Sequence, residues 1–141
     1  MAAVVGILRT TFRLLIADDD PGMREVLRAI FEPYFELVEA ASGDEACDVI
    51  RSVRIDIALL DMHMPRRTGL EALRALKRIH VDAPGILVTA AATDEIRRDA
   101  IEARAYCVLD KPLRKFDVVS TVEGALRSAY RDFRGLTALS G

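Results

Sequence analysis

Five short apolar runs recur along this chain, separated by stretches whose apolar residues return at every third or fourth position. Few folds satisfy such alternation. The short runs become strands, the longer stretches become helices, and each helix must cover a face of the sheet the strands build. The run Ile55-Asp56-Ile57-Ala58-Leu59-Leu60 is apolar at all but one position, which places it centrally in a sheet buried on both faces. Phe35-Glu36-Leu37-Val38-Glu39-Ala40 alternates apolar and polar instead, as an exposed edge strand does. The other runs span residues 12–17, 85–88 and 106–110. Together they predict an α/β domain of five βα units, with a parallel five-stranded sheet between two helical layers.

The helices have readable starts and stops. Pro21 suits a first turn, where its missing N–H would be unpaired anyway, and Pro33 ends the helix that carries Met23, Val26, Leu27, Ile30 and Phe31. Ser42 and Glu45 predict a capping box for a second helix, with Ala46, Val49, Ile50 and Val53 as its buried stripe. Leu70, Leu73, Leu76 and Ile79 define the third. Thr93 or Asp94 caps a fourth, bearing Ile96, Ala100 and Ile101, and the last presents Val118, Val119, Val122, Ala125, Leu126 and Ala129.

Four of the runs end on residues with chemistry. Asp18-Asp19-Asp20 closes the first, Asp61 the third, Thr89 the fourth, and Lys111-Pro112 follows the fifth. An open parallel sheet binds ligands outside the carboxyl ends of its strands, so these groups are expected to share one crevice. Carboxylates packed this closely repel one another when ionised, and a hard divalent cation such as Mg2+ is the natural compensation. Asp20 stands apart: beside Pro21 it is expected to cap the first helix. His80 is read as facing a helix C-terminal dipole, and Arg66 with Arg67 as a solvated loop face.

Composition narrows the function classes. Twenty basic residues against 22 acidic leave a net charge of −2, which lacks the basic footprint of a nucleic-acid-binding domain. No run approaches the roughly 20 apolar residues of a membrane span, and no basic segment precedes the apolar Met1–Leu8 stretch as in a signal peptide, so a cytoplasmic location is expected. Cys47 and Cys107 have no metal-like spacing and read as two free buried thiols. Residues 1–11 are assigned to an N-terminal extension, 12–130 to the domain and 131–141 to a short C-terminal tail. So short a tail favours a stand-alone protein over an excised piece of a longer one.

The stretches Leu14-Leu15-Ile16-Ala17-Asp18-Asp19-Asp20-Pro21, Leu59-Leu60-Asp61-Met62-His63-Met64-Pro65 with Gly69, Val88-Thr89-Ala90 and Lys111-Pro112 carry a specific likeness when taken in order. Over residues 12–130 the chain resembles the receiver domain of bacterial two-component response regulators. The flavodoxin-like three-layer (βα)5 sandwich with strand order 2-1-3-4-5, borrowed from known doubly wound sheets, puts Asp18 and Asp19 beside Asp61. The resemblance implies that Asp61 is phosphorylated. It also implies that Asp18 and Asp19, with Asp61 and the backbone carbonyl of His63, hold Mg2+, and that Thr89 and Lys111 contact the phosphoryl oxygens. Implied partners are a sensor histidine kinase or histidine phosphotransfer protein and a downstream protein or output domain. The only catalysis implied is the chain's own phosphoryl transfer and slow self-dephosphorylation.

Three departures from the family pattern stand out. Val108 occupies the place of the usual Tyr or Phe three residues before the lysine. Tyr106, on the same strand face, is either a substitute or a covering residue. Arg104 stands where Gly is common, and Thr68 replaces a frequent Asp. The Lys111-Pro112 bond is expected to be cis. The competing reading is a haloacid-dehalogenase-like, Mg2+-dependent phosphatase with Asp18 as nucleophile, since Asp18-Asp19-Asp20 contains an Asp-x-Asp spacing. It leaves Asp61 unexplained, and no acidic pair follows Lys111.

Overall fold

Side chains alternate faithfully from face to face along each strand. In β1 (Arg13–Ala17), Leu14 and Ile16 pack on one side of the sheet and Leu15 and Ala17 on the other. In β3 (Ile57–Asp61) the same division separates Ile57 and Leu59 from Ala58 and Leu60, and β4 (Gly85–Thr89) repeats it with Ile86 and Val88 against Leu87. With β2 (Glu36–Ala40) and β5 (Cys107–Asp110) these form one parallel sheet in the order β2-β1-β3-β4-β5. The computed structural model describes residues 11–139, so the N-terminal extension lies outside the described residues except for Thr11.

Helices α1 (Pro21–Phe31) and α5 (Lys115–Ala129) cover the first face, where Leu27, Phe31, Val118, Val122 and Leu126 meet Leu14, Ile16 and Leu59. Helices α2 (Gly43–Ser52), α3 (Gly69–Ile79) and α4 (Asp94–Glu102) cover the second through Ala46, Ile50, Leu73, Leu76 and Ala100. The three expected layers and strand order are present. Among the described residues no helix is long and apolar enough to cross a membrane.

The amphipathic stripes are narrower than the spacing predicts. Val26, Val53 and Ile79 are exposed, and Ile101 is 76% exposed. Val26 and Ile101 stand one position from the buried Leu27 and Ala100, Ile79 is the last residue of α3, and Val53 is the extended C-cap of α2. For α4 the shortfall is largest, because only Ala100 is buried. The caps follow the sequence more closely. Asp20 caps α1 through Gly22 N–H, and Thr93 caps α4. The Ser42 hydroxyl accepts from Glu45 N–H at 3.1 Å, but the Glu45 carboxylate reaches Ala41 N–H, so this box is displaced by one residue. The complete reciprocal box is Thr68 with Glu71 at α3, which gives Thr68 a structural role of its own. His80 ends α3, yet its Nε2 meets the Ile50 carbonyl in the last turn of α2 at 2.8 Å. The ring therefore ties two helices together instead of facing its own helix's dipole. Cys47 is buried and Cys107 half-buried, both free thiols.

Beyond α5 the chain folds back under the sheet, at the end where the strands begin. Phe133 packs edge-on against Phe12 at 5.6 Å, with the Arg127 guanidinium over its ring, 5.5 Å from the centroid. Tyr130 stacks at a tilt on Phe12 and donates its hydroxyl to the Asp56 carbonyl at 2.7 Å. Leu139 N–H closes the strap on Pro33 O at 2.7 Å.

Arg104 adopts a left-handed backbone, φ 64°. A side chain there costs about 1–2 kcal/mol relative to glycine. Arg104 also repels Lys77, whose ammonium is pulled below its ordinary value by burial first and then by Arg104. Arg104→Gly is therefore expected to stabilise the protein by up to about 1 kcal/mol, once the added freedom of the unfolded glycine is subtracted. A urea midpoint that fails to rise would show that the arginine side chain compensates its own strain.

Candidate functional site

Register brings the chemistry to one level. Ala17 of β1 lies beside Ala40 of β2 and Leu60 of β3, Asp61 beside Val88 of β4, and Thr89 beside Asp110 of β5. Residues that follow or end these strands therefore emerge together along one rim of the sheet.

Asp18 extends the β1 ladder by one hydrogen bond, its N–H donating to Ala40 O at 3.0 Å. Its buried carboxylate accepts from Asp20 N–H at Oδ1 (2.9 Å) and from Lys111 Nζ at Oδ2 (3.2 Å). Asp19 is exposed beside it. Asp61, also buried, accepts from His63 N–H at Oδ1 (3.3 Å), and the same oxygen lies 3.5 Å from Lys111 Nζ. Oδ2 of Asp61 takes no hydrogen bond from any described residue. Thr89 is fully buried, its hydroxyl oxygen accepting from Ala91 N–H and its carbonyl from Lys111 N–H. The Lys111-Pro112 bond is cis, as expected.

Two glycines permit the close approaches around this rim. A Cβ on Gly69 would lie 2.4 Å from the Asp61 carbonyl oxygen, so only glycine lets α3 start directly beside the end of β3. A Cβ on Gly43 would meet backbone of Arg67. Arg67 also pairs with Asp44 at 3.1 Å, and Gly43 N–H donates to Pro65 O. The loop that carries His63 is thereby clamped to the start of α2. Arg67 belongs to this clamp, not to a purely solvated face.

The carboxylates of Asp18, Asp19 and Asp61 can place one oxygen each within 4.8 Å of the others. Burial, then repulsion from Asp18, pushes the Asp61 carboxyl above its ordinary value, while Lys111 and the His63 N–H pull it back. Burial would lower the Lys111 ammonium, but the hydrogen bond and field of Asp18, and then Asp61, outweigh it and raise it. Three carboxylates facing one ammonium leave two negative charges, which matches the charge of a divalent cation with oxygen ligands.

Every site residue named from the sequence stands at this rim, His63 by its N–H. Tyr106 does not. Its N–H bonds to Gly85 O, where β4 begins, so it lies at the opposite end of the sheet from Thr89. It cannot replace the aromatic absent at Val108, which packs partly buried against the α2–α3–α4 side. The sequence reading missed Arg24, whose Nη1 donates to the Asp18 carbonyl at 2.6 Å. A cation on an amphipathic helix carries no sequence signal for such a contact.

Comparison with known proteins gives concordant results. The family described as response regulator receiver domain matches residues 14–123. The chain is 32% identical over 115 residues to the chemotaxis protein CheY of Halobacterium salinarum, covering 81% of this chain and 96% of that one. It is 30% identical over 119 residues to the transcriptional regulatory protein CpxR of Escherichia coli, covering 84% of this chain but 50% of CpxR. Among solved structures, a CheY-like response regulator receiver domain protein from Methanospirillum hungatei superposes with a TM-score of 0.81 at 26% identity, covering 84% of this chain and 96% of that one. None of these similarities supports the dehalogenase-like alternative.

Proposed function

The chain belongs to the response regulator receiver domain family, the phosphoacceptors of two-component signalling, and from that premise we propose that Asp61 takes the phosphoryl group. The observation that carries this assignment is the unequal occupation of the two buried carboxylates. Both oxygens of Asp18 are engaged, by Asp20 N–H and Lys111, whereas Asp61 keeps Oδ2 free of hydrogen bonds from the described residues. A nucleophile needs an available lone pair, and Asp61 has one.

In the transfer, Asp61 Oδ2 forms a bond to phosphorus as the bond to the donor's leaving atom breaks, and the electron pair departs with that atom. The donor is a phosphohistidine of a sensor histidine kinase or a phosphotransfer protein. Charge spreads over three phosphoryl oxygens, so positioning and compensation are the protein's main tasks. Lys111, already poised between Asp18 and Asp61, supplies a compact positive charge. The Thr89 hydroxyl, oriented through Ala91 N–H, donates to a phosphoryl oxygen. Asp18, Asp19, Asp61 and the His63 carbonyl would hold Mg2+, which when bound offsets negative charge on the phosphoryl group. The chain catalyses only this transfer and the slow hydrolysis of its own aspartyl phosphate, in which water restores the Asp61 carboxylate and releases inorganic phosphate. It acts in the cytoplasm and signals through altered contacts with a downstream protein or output domain.

Incubation with Mg2+ and a small phosphodonor is expected to add one hydroxylamine-sensitive phosphoryl group, located at Asp61 by peptide mass spectrometry. Asp61→Asn should abolish the uptake. Phosphate retained at Asp18 in that variant would overturn the assignment.

A further inference from the structure

We infer that Arg24 is a positioning residue for the acid pair, fixing the Asp18–Asp19 peptide so that both carboxylates face one cation. The inference rests on the reading of the site given above. Successive residues of an extended strand point to opposite faces, so Asp18 and Asp19 can converge on Asp61 only where the chain leaves that pattern. The group that defines the turn is the peptide unit between them, and its carbonyl is the one Arg24 grips at 2.6 Å. The N–H of Asp18 is held from the other side by Ala40 O. Main-chain donor and acceptor of Asp18 are thus both fixed by neighbouring elements.

Arg24 is itself anchored. Its Nε lies 3.4 Å from Glu39 Oε1, and only 18% of its side-chain surface is exposed. Glu39 sits on β2 in register with Ile16, two residues before Asp18. Arg28 clasps the same carboxylate with a fork, Nε to Oε2 at 2.6 Å and Nη2 to Oε1 at 2.9 Å. That clasp holds the Glu39 carboxyl below its ordinary value against the opposing effect of burial. An ordered relay of Arg28, Glu39 and Arg24 therefore runs from the α1–β2 seam to the backbone of the acid pair. The Arg13–Glu36 pair at the other end of β2 has no such reach: it joins strands β1 and β2 at 2.8 Å, far from the rim.

Calorimetric titration of the full chain with Mg2+ alone separates positioning from simple bracing. Arg24→Ala is expected to weaken Mg2+ binding about tenfold, the lower end for loss of a partner behind a metal ligand. Arg24→Lys should recover part of the affinity, because an ammonium can still donate to the Asp18 carbonyl. Arg13→Ala should leave affinity unchanged while lowering the urea midpoint in chelator about as much as Arg24→Ala does. Glu39→Gln, which frees the anchor but keeps a side chain of the same size, should weaken binding in the same direction and serves if the alanine variant does not fold. Parent-like Mg2+ affinity in Arg24→Ala or Glu39→Gln would overturn the inference and leave the site assignment standing. A parent that binds no Mg2+, or whose binding survives Asp19→Asn with Asp61→Asn, would overturn the site assignment as well.

Discussion

Replacing Lys111 with methionine is expected to lower the stability of the metal-free protein at neutral pH by about 3 kcal/mol and to slow phosphoryl uptake by a factor of about 10²–10³. The side chains of Asp18 and Asp61 are 3% and 5% exposed, and Lys111 is their shared cation. Removing one partner of a buried ion pair costs roughly 3–5 kcal/mol, and the lower end applies because the ammonium still meets solvent. The pH dependence has a definite sign. Burial, then Asp18, raises the Asp61 carboxyl, so the folded chain holds a proton that the unfolded chain has already released. Stability therefore falls as pH rises from the ordinary carboxylate value through the raised one, and the loss is complete above it. Without Lys111 the raised value climbs further and the decline covers a wider window. Urea unfolding in chelator should show the variant furthest below the parent at pH 7 and closer to it at about pH 4.5, near the ordinary carboxylate range. Equal midpoints at pH 7, or a gap that widens toward acid, would contradict this account.

Phe133→Ala is expected to be comparably costly, about 3–4 kcal/mol, while leaving phosphoryl uptake by the folded fraction unchanged. Phe133 is buried against Phe12 and beneath Arg127, so truncation opens a cavity at the foot of the sheet and strips a guanidinium of its aromatic partner. The loss should appear as a lower urea midpoint with the slope retained. A variant as stable as the parent would mean that the segment after α5 contributes nothing to the fold it covers.

The rim and the strap differ in how much of them the sequence discloses. Asp18, Asp19, Asp61, Thr89 and Lys111 each end or follow an apolar run, so the single deduction of a parallel sheet with level ends places them all together. Asp20 was equally legible, because its partner lies two residues away. Phe133 was not, since it follows the last helix in no periodic pattern and its partner, Phe12, lies just before the chain's first strand. Arg24, Arg28 and Glu39 look like ordinary solvated charges, and only the packing of α1 on β2 turns them into a network. For Tyr106, counting by twos gave neither the height nor the neighbour, since its hydroxyl lies beside Gly124 of α5. Two residues at about 3.3 Å each set it well below Val108, at the wrong end of the strand. Val26, Ile79 and Ile101 show the same limit on helices: spacing gives the direction of a stripe, while its width depends on how closely the sheet approaches.

The strap also decides where the chain can be handled. Thr11 leads into β1 and Leu139 is tied to Pro33 at the turn before β2, so the described chain enters and leaves by the same pole. Asp61, the proposed phosphoacceptor, stands at the other, a strand length of about 17 Å away. A dye placed at Leu139 would sit clear of the proposed donor's approach, and it would report phosphorylation only through a shift passed along the packed layers. Probes intended to sense the event directly belong at Ala91 or His63, where the chain bends over the rim.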